Sequence, residues 1–411
     1  AYPDILLLDC TYKTNKYGMP LLDMIGVDAC QKSFCIAFAF LSGESEDDYG
    51  WALDRLRSLY DHHCSKLPSV VLTDRCIACM NAVATSFPTS QSLLCLWHAN
   101  KAVLRHCLPA FTTRDVASSR SSQPTDKTEE AWGEFYQFWH LIVSSPNEAC
   151  FKERVARFEQ KYLPDHLHEV GYVMHTWLEP YKEKLVKAWV DQHAHFGNTA
   201  TSRVEGIHAL LKSHLKKSTL DLFEAWRAMK QALLNQLSEL RSNQIRQQTR
   251  FPIELSGSLY SAVRGWVSHE ALRKVEEQRR LIGKRDPPPS PICTGTFKKS
   301  NGLPCVHTLK DLQEQAEFSS WIISIHTGIC NVRGHHSYSW SLANESNRWL
   351  KHLQPPRKAR DESLARSRKS KRSRELRQNA PSVANSAIPG HREPVLCVLR
   401  NYAGLLAQPR H

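Results

Sequence analysis

Three acidic residues stand where a carboxylate can do chemistry. Asp9 closes the aliphatic run Ile5-Leu6-Leu7-Leu8, and Asp74 closes a second run, Val70-Val71-Leu72-Thr73. Consecutive aliphatic residues suit a strand buried on both faces, and an acid at its end lies on the rim of a sheet, beside solvent. Glu205 follows the polar loop His195-Phe-Gly-Asn-Thr-Ala-Thr-Ser202 and opens a helical pattern with Ile207, Leu210, Leu211 and Leu215 as its apolar positions. Carboxylates gathered from distant sequence repel at neutral pH unless a divalent cation neutralises them. Each acid also has an ordinary reading. Asp9 could cap a turn, and Ser202-x-x-Glu205 is a capping box in which Glu205 would only satisfy helix N–H groups. Taken as a set, the three favour Mg2+ or Mn2+ ligation. Arg203, Lys212 and Lys216 lie on or beside the Glu205 helix as candidates for DNA contact or for a structural role.

The elements that must position these acids follow in order. Strands are expected at 5–9, 21–28, 33–41, 68–74 and 92–97, with helices from Ser45-Glu46-Asp47-Asp48, over 76–87 and over 98–108. The order βββαβαβα predicts an α/β fold of the RNase H-like type, a mixed five-stranded sheet. Its first and fourth strands would be parallel neighbours, so Asp9 and Asp74 would meet at one edge. Residues 1–112 make this first part of the core, and 113–200 an all-helical insertion after a Ser-rich link at 112–128. Trp132, Phe135, Trp139, Tyr181, Leu185, Ala188 and Trp189 fall near helical spacing, which makes them core rather than base-stacking platforms. Residues 201–286 add the core-completing helix and further helices over 220–250 and 259–281, up to the break at Pro287-Pro288-Pro289.

A second chemistry is spaced through 287–345. Cys293, Cys305 and His307 have the spacing of a small zinc knuckle, with His326, Cys330, His335 or His336 as a fourth ligand. Cys95-x-x-His98 offers two more soft ligands, but two do not close a zinc site, so this pair reads as structural or DNA-proximal. Residues 346–411, with the run Arg366-Ser-Arg368-Lys369-Ser-Lys371-Arg372-Ser-Arg374, lack apolar periodicity and read as a disordered basic tail for nuclear targeting or DNA contact.

The bulk numbers agree. A net charge of +13 over 411 residues favours a polyanionic partner, nucleic acid by default. Thirteen scattered cysteines, an odd count, argue for a reducing compartment. The longest apolar runs are far too short to span a bilayer. The chain opens inside a strand pattern without an initiator Met, which reads as a fragment with an upstream domain missing.

In their order, LLLDCTYKTNKYGMPLL (6–22), VVLTDR (70–75), CLWHANKAV (95–103) and HFGNTATSRVEGIHALLK (195–212) resemble the Mutator-like element (MULE) transposases, especially the fungal ones. CTGTFKKSNGLPCVH (293–307) resembles that family's SWIM-type zinc element, with Gly295 standing where its second Cys would be. The resemblance covers roughly residues 1–310. It implies that Asp9, Asp74 and Glu205 are a DDE triad, with Asp9 shared between two Mg2+ ions, and that Cys95 and His98 are the family's CxxH signature. It also implies strand cleavage and strand transfer on double-stranded DNA, a homo-oligomer and a nuclear location. Plant far-red-impaired response proteins share this core but act in transcription. The alternatives are therefore a catalytically silent DNA-binding regulator or a decayed transposon copy.

Overall fold

The aliphatic run at the start forms strand β1 (Ile5–Thr11), which pairs antiparallel with β2 (Leu21–Val27), itself antiparallel to β3 (Ser33–Phe40). A computed structural model of the chain describes residues 4–116, 126–282, 293–314 and 395–397. Helix α1 (Glu46–His62) begins at a capping box between Ser45 and Asp48, with acids in its first turn that suit the positive end of the helix dipole. It leads to β4 (Val70–Thr73), parallel to β1, then α2 (Ile77–Ser86) and β5 (Gln91–Leu94), parallel to β4. The sheet order is β5-β4-β1-β2-β3, and a short β6 (Val395–Cys397) pairs antiparallel with β3 at the edge. β6 falls inside the stretch expected to be an unstructured tail. The remainder of that tail lies outside the described residues.

Side chains alternate across a strand, so the aliphatic start of β1 feeds two cores. Leu6, Leu8, Leu22, Met24 and Val71 pack under Leu53 and Leu56 of α1 and Val83 of α2. Ile5, Leu7, Leu21, Phe40 and Leu72 face the other way, against α9 (Ser202–Leu215) and α10 (Leu222–Thr249), through Val204, Ile207, Leu211 and Met229. Asp9 and Asp23 continue this second face.

After β5 the chain turns into α3 (Leu96–Val116), so the fifth strand ends three residues before the expected boundary at 97. The helical insertion follows as expected: α4 (Asp126–Val143), α5 (Glu148–Tyr162), α6 (Leu167–Gly171), a π-helical turn over Tyr172–Leu178, α7 (Glu179–Leu185) and α8 (Lys187–Val190). Phe135, Trp139 and Phe158 are fully buried against Ala99, Val103 and Cys107 of α3, so these aromatics are core. The helix expected over 259–281 is broken. A 3-10 turn at Ser258–Val263 is followed by Gly265 at φ +73, a conformation only Gly adopts cheaply, and α11 (His269–Leu281) restarts under a Ser268 cap. The short α12 (Thr296–Asn301) and α13 (Val306–Glu314) dock on α11 through Leu272, Val275, Leu303 and Leu309. No described helix is long and apolar enough to cross a membrane.

Candidate metal centre

The parallel register Ile5↔Val70, Leu6↔Val71, Leu7↔Leu72 runs on to set Asp9 level with Asp74, two steps beyond the last paired residues. Helix α9 lies over the same end of the sheet, packed on β1, β2 and β3, and carries Glu205 in its first turn. Ligand atoms of Asp9, Glu205 and His208 all lie within 4.8 Å of one another. Asp74 stands outside that tightest group, but its charge reaches Asp9. The Asp9 carboxyl is pushed up to about 7, first by burial and then by repulsion from Asp74 and Glu205; His208 and the Cys10 N–H, 3.0 Å away, act against the rise. Burial also raises Asp74, against the pull of His98 and a 3.2 Å hydrogen bond from the Cys76 N–H. Glu44 adds further repulsion from nearby, held by the hydroxyls of Tyr12 (2.8 Å) and Tyr49 (3.2 Å). Among the described residues no Lys or Arg forms an ion pair with Asp9, Asp74 or Glu205. Acids gathered with His208 as their cationic neighbour and no Lys or Arg paired to them among the described residues, with hard oxygen donors, fit a divalent cation.

The capping-box reading of Glu205 does not hold. Thr201, not Ser202, is the N-cap of α9, and its side chain makes no capping bond. The Thr201 hydroxyl instead donates to the Cys95 sulfur (3.1 Å) and lies 3.3 Å from His98 Nδ1, while its N–H reaches the same sulfur at 3.0 Å. The Leu96 N–H donates to the Thr199 carbonyl at 2.9 Å. Cys95 and His98 thus fasten the start of α9 to the β5–α3 junction, which sets where Glu205 stands. Burial disfavours the charged form of the His98 imidazole, and with the Thr201 hydroxyl proton on the Cys95 sulfur, Nδ1–H of His98 donates to that hydroxyl. Arg203 is engaged inside the chain, donating to the Gln31 carbonyl (2.6 Å) and to Gln31 Oε1 (3.1 Å). Lys212, further along α9, and Lys216, just past its end, are exposed.

Sequence reasoning missed Asp23 and His208. Asp23 is the cross-strand partner of Asp9 and is fully buried. His208, 5% exposed, brings Nε2 to 3.1 Å from Asp23 Oδ2, yet the ring N–H is out of line, so the contact is an ion pair rather than a good hydrogen bond. Burial alone would lower the His208 imidazole, but Asp23, Asp9 and Glu205 together hold it above its ordinary range. Two signals were available: an acid inside the apolar run Leu21-Leu22-Asp23-Met24-Ile25, and the Glu-x-x-His spacing of 205–208, which puts both side chains on one helix face.

Next to the acids, α3 and the π-helical turn frame an open groove of about 520 Å³ lined by His98, Lys101, Arg105, His106 and Tyr172. Lys101 lies over the Trp97 ring at 4.4 Å, and His106 stacks on Tyr172 at 3.7 Å.

The Cys/His segment forms a separate cluster. Cys293 and Cys305 sulfurs are 3.5 Å apart, and His307 Nδ1 is 3.9 Å from Cys305. Burial opposes ionisation of Cys305, but hydrogen bonds from Thr308, His307 and Cys293 bring its thiol down to about 6. These three are the only zinc-type ligands grouped there among the described residues. The expected fourth ligands, His326, Cys330, His335 and His336, lie outside them.

Residues 5–102 match the family model described as the MULE transposase domain. This stretch is similar to the MULE transposase domain. It contains β1 to β5, and with them Asp9, Asp74, Cys95 and His98. The chain is 22% identical over 338 residues to the PKS-NRPS hybrid synthetase cheA of Chaetomium globosum, covering 75% of this chain and 7% of that protein. It is 25% identical over 169 residues to protein FAR1-RELATED SEQUENCE 6 of Arabidopsis thaliana, covering 40% of this chain and 23% of that one. For FAR1-RELATED SEQUENCE 11 of the same plant, the figures are 21% over 218 residues, 53% and 28%. The chain thus spans less than a third of the length of these curated relatives.

Proposed function

We propose that this chain is the catalytic part of a DDE-type DNA transposase with an RNase H-like core. The observation that supports the reading is the grouping of Asp9 with Glu205, on a register that runs toward Asp74, with no Lys or Arg paired to them among the described residues and a match to the MULE transposase domain over 5–102. When bound by these acids, Mg2+ or Mn2+ ions would supply an activated nucleophile and charge stabilisation at the leaving oxygen. Asp9 occupies the central position, with Asp74 just past β4 on one side and Glu205 on α9 on the other. The Cys95–His98–Thr201 contacts hold α9 at the distance where Glu205 faces Asp9. Lys101 and Arg105 in the adjoining groove, with Lys212 on α9 and Lys216 at its end, would neutralise backbone phosphates and lead a DNA strand to the acids. The reaction is strand cleavage followed by strand transfer into target DNA, carried out in the nucleus by a homo-oligomer. Cys293, Cys305 and His307 would hold a structural Zn2+. Mg2+-dependent nicking of DNA carrying the element's terminal repeats should vanish in Asp9→Asn. Nicking that survives that substitution sinks the assignment.

The plant matches favour a second reading, a DNA-binding regulator that keeps the fold without the chemistry. Asp9 and Asp74 in register, with Glu205 grouped beside Asp9, count against it. Mn2+ binding that depends on both Asp9 and Asp74 separates the two, because the regulator needs none.

A further inference from the structure

We infer that His208 is a nitrogen ligand to the divalent cation held by Asp9 and Glu205, and that the buried Asp23 fixes the ring for that task. The inference rests on reading Asp9, Asp74 and Glu205 as a metal site, and it adds a ligand and a positioning residue to it.

The ring is already divided between two jobs. Its Nε2 points toward Asp23 at 3.1 Å, and its Nδ1 lies on the side of Glu205, 4.0 Å from Oε2. Since Asp9, Glu205 and His208 each offer a ligand atom within 4.8 Å of the others, a single ion can touch all three with small adjustments. Metal-bound imidazoles commonly direct their second N–H at a carboxylate, which sets the tautomer and strengthens the ligand. Asp23 is placed for that role. It is fully buried and directly across from Asp9 in the β1–β2 ladder, so it follows Asp9 to the same face.

A purely structural ion pair explains less. Neither Asp23 oxygen has an aligned hydrogen-bond donor, although both are buried, and such a carboxylate is costly to keep. A structural pair would also gain nothing from turning Nδ1 toward two more acids. A cation at Asp9 and Glu205 takes up Nδ1 and leaves the proton on Nε2, 3.1 Å from Asp23, where a small turn of the ring gives that buried carboxylate its donor. A nitrogen donor favours Mn2+ over Mg2+ or Ca2+, which prefer oxygen.

The test is Mn2+ binding to the full chain by calorimetry, with pulsed EPR of the bound ion in protein carrying natural or 15N-labelled histidine. Bound Mn2+ should show coupling to one imidazole nitrogen that changes with the label. The coupling should be lost in His208→Gln, with Mn2+ affinity falling about 10- to 100-fold while Mg2+ affinity changes less. Asp23→Asn should keep the coupling but weaken Mn2+ binding roughly 10-fold. Mn2+ that binds, is lost in Asp9→Asn and shows no nitrogen coupling would overturn the His208 assignment while leaving the acid site standing. Coupling that persists in His208→Gln overturns it as well. Binding that ignores Asp9→Asn overturns the underlying metal reading. The wild-type spectrum decides even where a variant fails to fold.

Discussion

The acids at the end of the sheet and the Cys/His group at 293–307 both gather metal-type ligands, but from opposite starting points. Asp9, Asp74 and Glu205 come from β1, β4 and α9, each anchored by fully buried neighbours such as Leu7, Leu72 and Leu211. Their geometry is imposed by the core, so repulsion is built in and the metal-free site is strained electrostatically. Cys293, Cys305 and His307 come from one short segment, with Cys293 exposed and only Leu303 and Leu309 tying it to α11. Here an ion would supply order that the small core does not. The comparison teaches that the first site should lose function without losing the fold when its ligands change, and the second should do the reverse.

The largest effect is expected at Asp9. Asp9→Asn should lower Mg2+-dependent cleavage on the order of 10³-fold or more while raising the stability of the metal-free protein at neutral pH. The sign follows from the folded carboxyl standing at about 7 against an ordinary 3.8. A proton is then bound more tightly in the folded state, so stability present below about pH 4 is lost as pH rises toward 7, by roughly 2–4 kcal/mol. Thermal melts across that range, with and without Mn2+, read it directly. At 100 times its Kd, Mn2+ should return about 2.7 kcal/mol to the wild type and nothing to the variant.

Next in size is Cys305→Ser, expected to weaken zinc on the order of 10²-fold. It should cost amide-exchange protection in α12 and α13 while Mn2+ binding at Asp9 stays put. Loss of both together would mean that the two regions are one site.

Thr201→Val probes what positions Glu205. Removing the hydroxyl from Cys95 and His98 should destabilise the fold by about 1 kcal/mol and lower kcat by more than it changes DNA affinity. The smallest effect belongs to the groove. Lys101→Ala should leave cleavage at low salt nearly intact and reduce the salt slope of DNA binding by about one.

Much of this was legible because strand ends are easy to see. Two aliphatic runs that each stop at an acid determine a parallel pair with Asp9 level with Asp74. Glu205 was ambiguous because spacing alone cannot tell which residue caps a helix. Only the placement of Thr201 as the N-cap, with its hydroxyl on the Cys95 sulfur, removes the capping box. Asp23 and His208 stayed hidden because an isolated acid in an apolar strand has no meaning until the β1–β2 register sets it opposite Asp9. The break before α11 depended on one glycine at positive φ, and β6 is too short to be recognised without its partner β3.

Anomalous diffraction from crystals of the chain soaked in Mn2+ tests the convergence of the acids most directly. The account predicts Mn2+ peaks in coordinating contact with Asp9, shared with Asp74 and Glu205, and absent from the Asp9→Asn protein. Mn2+ bound elsewhere while the three carboxylates stay empty would contradict it.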